Sequence, residues 1–269
     1  MGKGPIVYKS LSELQIIQQN GDLLGRVLAE VAKRMVPGVK TIDLDTIAYE
    51  YILDHGAKPS FKGLYGCPST LLTSVNEAVV HGLPNDTVLK EGDIVSVDCG
   101  VFKDGFHADS AYTFAVGEIK PETQALMDAT LQSLLLGVAQ VRAGNRVGDV
   151  SNVIQTYVES LGYSVVRELV GHGVGAKLHE SPDVPNFGKR GIGPLLQEGV
   201  VIAVEPMVNL GRRNVVTERD NWTIRTVDRK VSAHYEHTVA VHDGKPMVLT
   251  TFKFIEEVLK TTYGEAIVH

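Results

Sequence analysis

The sequence contains two copies of one pattern, and this internal repeat constrains the fold more than any other feature. The segment EGDIVSVDCGV at 91–101 aligns without gaps on EGVVIAVEPMV at 198–208, and MVPGVKTIDLDTIAYEYILDHG at 35–56 aligns on VRAGNRVGDVSNVIQTYVESLG at 141–162. Two copies of roughly a hundred residues are too few for a solenoid, which needs at least three stacked units. The repeat therefore predicts a fused pseudo-dimer.

Each copy has the pattern of two helices, a strand and a hairpin. Apolar residues at helical spacing predict a first helix from Leu11 to Val36, before Pro37-Gly38, and a later one from Pro121 to Val141, with proline at its start. We expect a single α+β domain over residues 1–269, with a central antiparallel sheet and outer helices. Its two halves are expected at about 11–118 and 119–250.

Two acids occupy a predicted hairpin in the first copy. The run GDIVSVDCGVFKDGFHADSAYTFAV has β-branched and aromatic residues on both sides of a Lys103-Asp104-Gly105 turn. If the arms are symmetric about Lys103 and Asp104, Asp98 and Asp109 lie directly opposite each other, with Cβ atoms about 4.5 to 5.5 Å apart. Two carboxylates that close in an apolar sheet repel each other, so the pattern predicts bound cations. The repeat places Glu205 at the position of Asp98.

Composition excludes several classes of protein. The chain has 269 residues with 43% hydrophobic content, enough for a large core. Its net charge of -6 argues against a surface for sequence-specific nucleic-acid binding, which needs Lys and Arg to neutralise phosphates. No apolar run approaches the roughly 20 residues of a membrane span, and MGKGPIVYKSLSELQ lacks the apolar stretch of a signal peptide. Since two cysteines make no disulfide framework, we expect a cytoplasmic protein.

Read singly, the candidate site residues have ordinary structural interpretations. Asp98 and Asp109 are then hairpin acids that face water, and His172 is a loop histidine between two glycines. The Gly-rich run LVGHGVGAKLHE fits neither GxGxxG nor GxxxxGK[ST], so it predicts no phosphate site. Because the repeat aligns an acid with an acid, the joint pattern favours a metal site.

The segments NEAVVHGLP, VSVDCGVFKDGFHADSAYTF, ELVGHGVGAKLHESPDVPNF, AVEPMV and WTIRTVDRKVSAHYEHTVAV follow one another along the chain. Together they resemble the methionine aminopeptidases, in their short bacterial type I form, and the match covers nearly the whole sequence. The resemblance implies the pita-bread fold, in which two duplicated halves are related by a pseudo-twofold axis.

The same resemblance implies the metal ligands Asp98, Asp109, His172, Glu205 and Glu236. In that family Asp109 and Glu236 would bridge two ions, Asp98 would hold one ion, and His172 with Glu205 would hold the other. Charge counting agrees, because four carboxylates balance two divalent cations, which lie about 3.5 to 4 Å apart in two-metal hydrolases. One imidazole among oxygen ligands suits Mn²⁺, Fe²⁺ or Co²⁺, and leaves Zn²⁺ and Ni²⁺ open.

Catalytic and substrate-binding roles also follow from the resemblance. It makes His81 and His179 groups that contact the substrate and assist the reaction, and Glu205 a proton shuttle. Trp222 matches the methionine pocket of the family, whereas Leu64 and Cys67 occupy places that usually carry aromatic residues. We still expect an apolar pocket that holds a thioether. Cys67 has an alternative interpretation as a small buried hydrophobe.

The expected function is removal of the N-terminal methionine from nascent proteins and peptides with a small second residue, by a dinuclear metallo-aminopeptidase. Expected partners are such peptides and, transiently, the ribosome, and the chain is expected to be a monomer. Two alternatives remain. A proline-directed aminopeptidase or dipeptidase shares the five ligands, but usually has a large N-terminal domain, whereas about ten residues precede the first helix here. A pita-bread protein that binds peptides without catalysis would not need all five ligands.

Overall fold

The computed structural model describes residues 4–260, in which helices alternate with antiparallel strands. The helices of this part of the chain are α1 (Leu11–Ala32), α2 (Thr41–Asp54), α3 (Pro121–Val138), α4 (Val147–Ser160) and α5 (Lys253–Leu259). None of these helices is long and apolar enough to cross a membrane. Both α1 and α3 end earlier than predicted, at Ala32 and Val138, because the residues that follow close tighter turns of the 3₁₀ type.

The strands fall into two groups along the chain. The first group is β1 (Lys58–Pro59), β2 (Leu71–Val75), β3 (Ala78–Val80), β4 (Ile94–Lys103) and β5 (Phe106–Ala115). The second group is β6 (Ser164–Val165), β7 (Val170–Gly173), β8 (Glu180–Pro185), β9 (Val201–Val204), β10 (Met207–Asn209), β11 (Val215–Thr217), β12 (Ile224–Thr226), β13 (Ser232–His234), β14 (His237–His242) and β15 (Lys245–Val248). All of the pairings between these strands are antiparallel, so the expected α+β class is correct.

The aligned copies of the sequence form matching elements. Helices α2 and α4 both have 14 residues and occupy equivalent positions in the alignment, and strands β4 and β9 begin at the aligned residues Ile94 and Val201. Helix α1 packs on β4 and β5, while α3 packs on β9, β10 and β13. Their apolar faces meet the sheets in one extensive core, in which Phe114, Leu14 and Leu134 are fully buried.

The β4–β5 hairpin has a different register from the predicted one. Lys103 pairs with Phe106, so the turn consists of Asp104 and Gly105, both in the left-handed region with φ of 50° and 87°. Such two-residue turns match the twist of the flanking strands and need positive φ at both turn residues. Asp-Gly adopts positive φ more readily than Lys-Asp, so it forms the tip. Asp98 therefore pairs with Ala111 rather than with Asp109, which pairs with Gly100. The two acids still share a face of the hairpin, as diagonal neighbours about 7 to 8 Å apart between Cα atoms.

In the second half, by contrast, two acids are directly opposed. His237 pairs with Val204, and His234 pairs with Met207. Both pairs fit one register, and continuing that register across the gap between the two ladders puts Glu205 and Glu236 at facing positions. The ladder is interrupted there because Pro206 has no backbone N–H to donate.

The two halves join along β5 and the β13–β14 segment. The Glu236 amide donates to the Ala111 carbonyl at 2.9 Å, and the Ser110 hydroxyl donates to the Glu236 carbonyl at 2.8 Å. The Thr238 hydroxyl donates to the Asp109 carbonyl at 2.8 Å, and all of these groups are buried. This seam brings an acid of the first half beside an acid of the second.

A buried carboxylate fixes the start of β2, the strand next to β4. Asp45 of α2 is 8% exposed, and its Oδ1 accepts hydrogen bonds from the amides of Thr70 and Leu71 at 2.8 and 2.7 Å. Only a side chain with an accepting oxygen at this place could receive both bonds. The helix therefore sets the position of the strand through one atom.

We predict that Asp45→Ala lowers the free energy of unfolding by about 2 to 4 kcal/mol, because it leaves two buried amide donors unsatisfied. Asp45→Asn keeps a carbonyl oxygen at the same place and should cost less. Urea denaturation followed by circular dichroism measures both variants, with Glu50→Ala at an exposed position of the same helix as the control. Equal stability of the alanine variant and the wild type would contradict this role.

Candidate active site

The predicted metal ligands come from five separate strands or strand ends and line one cavity of about 250 Å³. Asp98 lies on β4, Asp109 on β5 and His172 on β7, whereas Glu205 follows β9 and Glu236 precedes β14. His81 and His179 line the same cavity. The structure thus brings together all seven polar residues that the sequence singled out.

Three of these residues are especially close. One ligand atom from each of Asp109, His172 and Glu236 lies within 4.8 Å of the other two. His172 Nε2 lies 3.7 Å from Asp109 Oδ2 and 3.6 Å from Glu205 Oε1, outside hydrogen-bond range. These separations leave room for an ion between the imidazole and the carboxylates. They are too long for direct hydrogen bonds between those groups.

The site concentrates negative charge where water cannot screen it. Burial raises the pKa of Asp98 to about 7, and burial and the neighbouring acids raise the pKa values of Asp109, Glu205 and Glu236 well above their usual range. Among the described residues, no lysine or arginine lies within ion-pair distance of these acids. His172 lies near Asp109 and Glu205, and His234 lies near Glu205. A cation is therefore needed to keep all four carboxylates ionised near neutral pH.

Unsatisfied oxygens provide an independent test of a metal site. Asp98 Oδ1, Asp109 Oδ1 and Glu236 Oε1 are buried without a hydrogen-bond partner. Such groups are rare in folded proteins and call for an explanation such as an ion. Oxygen donors with one imidazole are ligands that divalent cations accept, so the residues fit.

His172 is held in the form that a metal ligand requires. Its Nδ1 lies 3.0 Å from the Gly173 carbonyl, which can only accept, so Nδ1 carries the proton and the Nε2 lone pair points toward the acids. Burial lowers the pKa of His172 to about 4, so the ring is neutral at pH 7. A backbone carbonyl that fixes the tautomer is a common partner of ligating histidines.

A second group of possible ligands, Glu198, His242 and Asp243, lies at the surface. The Glu198 carboxylate already accepts hydrogen bonds from the amides of Asp243 and Gly244 at 2.8 and 3.2 Å, and lies 3.0 Å from His242 Nδ1. Its oxygens are satisfied within a turn. This group is therefore best explained as a local structural contact.

The two histidines His179 and His81 also line the cavity. The ring of His179 meets that of His172 edge-on at 4.3 Å between centroids. Burial, followed by the nearby His172 and His81, lowers the pKa of His179 to about 3, and burial lowers the pKa of His81. His81 has φ of 61°, and the next residue, Gly82, packs so closely on Thr73 that a Cβ would overlap its carbonyl. Both rings are neutral at pH 7, so each has one donor and one acceptor nitrogen.

The predicted pocket residues Leu64, Cys67 and Trp222 form an apolar cluster beside the acids. Cys67 is buried at 4% exposure, and Leu64 and Trp222 pack against it and its neighbours. The cluster also contains residues that the sequence analysis missed, namely Phe61, Leu72, Leu83 and Leu178. Phe61 supplies an aromatic ring to a wall in which Leu64 and Cys67 have none.

Tyr65 is a further residue that the sequence analysis missed. It has φ of 52°, is 75% exposed, and its ring lies nearly parallel to that of His179 with centroids 5.9 Å apart. Glycines at 63 and 66 mark an irregular turn here, and this is the signal that could have identified the residue. Tyr65 covers His179 at the mouth of the cavity.

Comparison with known proteins places this geometry in a family. A family profile described as Metallopeptidase family M24 matches residues 15–243. The methionine aminopeptidase of Clostridium perfringens is 50% identical over 248 residues, which cover 92% of this chain and 100% of that protein. The crystal structure of methionine aminopeptidase from Rickettsia prowazekii superposes with a TM-score of 0.91 at 34% identity, and covers 92% of this chain and 100% of that one.

A prolidase from Pyrococcus furiosus has a TM-score of 0.75 at 19% identity, and its match covers 91% of this chain but 65% of that one. A similarity at this level shows a shared fold alone. The expected pita-bread architecture is therefore correct, and the higher identities lie with the methionine aminopeptidases. On the strength of the family profile and these full-length matches, this chain belongs to metallopeptidase family M24, among its bacterial methionine aminopeptidases.

Proposed function

We propose that this protein removes the N-terminal methionine from peptides and nascent chains, with preference for a small second residue. The observation that carries the proposal is the convergence of four carboxylates, two buried and two partly buried, and one neutral imidazole beside an apolar pocket. The relatives named methionine aminopeptidase support the same activity.

In this proposal Asp98, Asp109, His172, Glu205 and Glu236 hold two divalent ions. When bound, such a pair supplies hydroxide near neutral pH and polarises the carbonyl of the scissile bond. Mn²⁺, Fe²⁺ and Co²⁺ suit this ligand set, and Zn²⁺ and Ni²⁺ remain compatible with it.

The chain's own groups then complete the reaction. His179 donates its N–H to the carbonyl oxygen of the first peptide bond as negative charge develops there. His81 accepts a hydrogen bond from the N–H of the same bond, and Glu205 accepts the proton of the attacking water and passes it to the leaving amine. Because both rings are neutral, each has one donor and one acceptor nitrogen and adds no positive charge to the site.

The apolar cluster provides the specificity in this proposal. Leu64, Cys67 and Trp222 offer a wall without charged groups, on which a thioether side chain can pack. We propose that residues 1–269 act as one catalytic domain, built from halves at about 11–118 and 119–250. We further propose that the chain is a cytoplasmic monomer.

Transient contact with the ribosome is a further part of the proposal. The β11–β12 region exposes several cationic side chains in a chain of net charge -6, namely Arg212, Arg213, Arg219, Arg229 and Lys230. Asp228 and Asp220 accept from the amides of Arg212 and Trp222 at 2.7 and 2.9 Å, and among the cations Arg229 already pairs with Glu77. This basic edge could contact ribosomal phosphates without reading a sequence.

A peptide panel tests the activity against both alternatives. We expect release of free methionine from Met-Ala-Ser and Met-Gly peptides and no cleavage of Ala-Pro peptides, as mass spectrometry of timed reactions with added Mn²⁺ or Co²⁺ would show. Preferred cleavage of Ala-Pro would indicate the proline-directed enzyme. Binding without any cleavage would indicate the peptide-binding protein.

Metal binding should depend on the buried acids. Asp109→Ala removes one of the two closest carboxylates, so the number of tightly bound ions and the rate of Met-Ala-Ser cleavage should both collapse. Plasma emission spectroscopy of dialysed protein measures the ions. Glu198→Gln, in the surface cluster, is the matched control and should retain wild-type stoichiometry. Two tightly bound ions in Asp109→Ala would refute the assigned role of this residue.

Pocket shape should set the selectivity between methionine and norleucine. Leu64→Tyr adds a ring beside Phe61 and narrows the cavity, so the ratio of kcat/KM for the two matched peptides should change. In such pockets one methylene changes the discrimination between two substrates by about 1 to 3 kcal/mol, or roughly 10- to 200-fold, and we expect a change within this range. Metal content should not change. An unchanged ratio would mean that the side chain at 64 does not line the pocket for the first residue.

A further inference from the structure

We propose that the buried ion pair between Lys9 and Glu180 is a positioning device for His179. The inference rests on the proposed function, because His179 acts on the substrate in that scheme. Lys9 Nζ lies 2.6 Å from Glu180 Oε2, and the side chains are 2% and 8% exposed. Lysine is almost never buried to this extent unless it is paired, and burying both charges has a desolvation cost that a structural role would explain.

The Glu180 carboxylate organises the turn that precedes it. Its Oε2 accepts from Lys9, and its Oε1 accepts from the Lys177 amide at 3.1 Å. Within the turn, the Gly175 amide donates to the Lys177 carbonyl at 3.0 Å. Both carboxylate oxygens are thus used, one to anchor the turn to Lys9 and one to close it.

The backbone at Gly175 is shaped around this pair. A Cβ at position 175 would lie 2.5 Å from Glu180 Oε1 and 2.6 Å from Lys9 Cε, so any side chain there would displace the ion pair. The Gly175 carbonyl accepts from the His107 amide of β5 at 2.9 Å. The turn is therefore connected to the strand that carries Asp109.

Lys9 is itself held firmly and cannot follow a moving turn. Its amide donates to the Gly199 carbonyl at 2.7 Å, and its Nζ also donates to the Val7 carbonyl at 2.9 Å. Directly after it, Ser10 caps α1, where its hydroxyl accepts from the Glu13 amide and Glu13 Oε2 accepts from the Ser10 amide. The cation is thus anchored to the end of a long core helix.

The two residues before Glu180 are those that face the cavity. Leu178 belongs to the apolar cluster, and His179 lies against His172. If the carboxylate lost its cation, a buried charge would be left uncompensated and the turn would shift to solvate it. The imidazole of His179 would then leave its working position, although Lys9 never touches the substrate.

A double-mutant cycle separates positioning from general destabilisation. The four proteins are the wild type, Lys9→Met, His179→Ala and the double variant, assayed with Met-Ala-Ser at saturating Mn²⁺. We expect Lys9→Met to lower kcat by at least about tenfold in the wild-type background, since a misplacement of about 1 Å can cost about 10²-fold. In the His179→Ala background, which has already lost about 10² to 10⁴-fold, it should lower kcat less than about twofold.

Lys33→Met is the matched control, because it breaks a solvent-accessible lysine–glutamate pair at the opposite end of α1 and should leave kcat unchanged. Should Lys9→Met fail to fold, Glu180→Gln replaces it in the cycle, since the amide keeps an oxygen for the Lys177 amide and removes the charge. Equal, additive losses in both backgrounds, or no loss in the wild-type background, would overturn the positioning role. A wild type that cannot cleave Met-Ala-Ser would instead overturn the proposed function, and this inference with it.

Discussion

Repulsion among four carboxylates, two of them buried and two partly buried, is the constraint on which the rest of this structure depends. Burial raises the pKa of every member, and neighbouring acids raise the pKa values of Asp109, Glu205 and Glu236 further. A protein that folded around these groups alone would have to protonate most of them near neutral pH. Divalent cations remove that conflict, and they do so where they can act on a bound peptide.

The strands around the acids must hold them at fixed positions, because cations can offset the repulsion only when the carboxylates stand at suitable distances. Oxygen ligands must stand at fixed separations, and they come from strands of both halves. The seam between β5 and β13–β14 sets these separations through backbone bonds at Ala111 and Glu236, while Asp45 fixes β2 and Lys9 fixes the turn of His179. Two of these supports, Asp45 and Lys9, connect the cavity to the core helices α2 and α1, so stability and site geometry are coupled.

The sequence predicts the fold class correctly and singles out polar residues that the structure gathers in one cavity, but it misses one turn and several long-range contacts. The alignment of Asp98 with Glu205 is visible because both acids interrupt apolar strands. The predicted hairpin register was wrong because the turn was centred on Lys103-Asp104, whereas Asp104-Gly105 is the pair that readily adopts positive φ. The pairing shifts by two residues, which keeps both acids on the same face. Phe61 and the pairing of Lys9 with Glu180 depend on tertiary contacts that no local pattern encodes.

The most direct test of the central claim is anomalous diffraction from crystals of this protein grown with Mn²⁺ and recorded near the manganese edge. The account predicts two strong anomalous peaks inside the cavity, with Asp98, Asp109, His172, Glu205 and Glu236 as their protein ligands. An empty cavity, or manganese only at the surface group of Glu198 and His242, would contradict it.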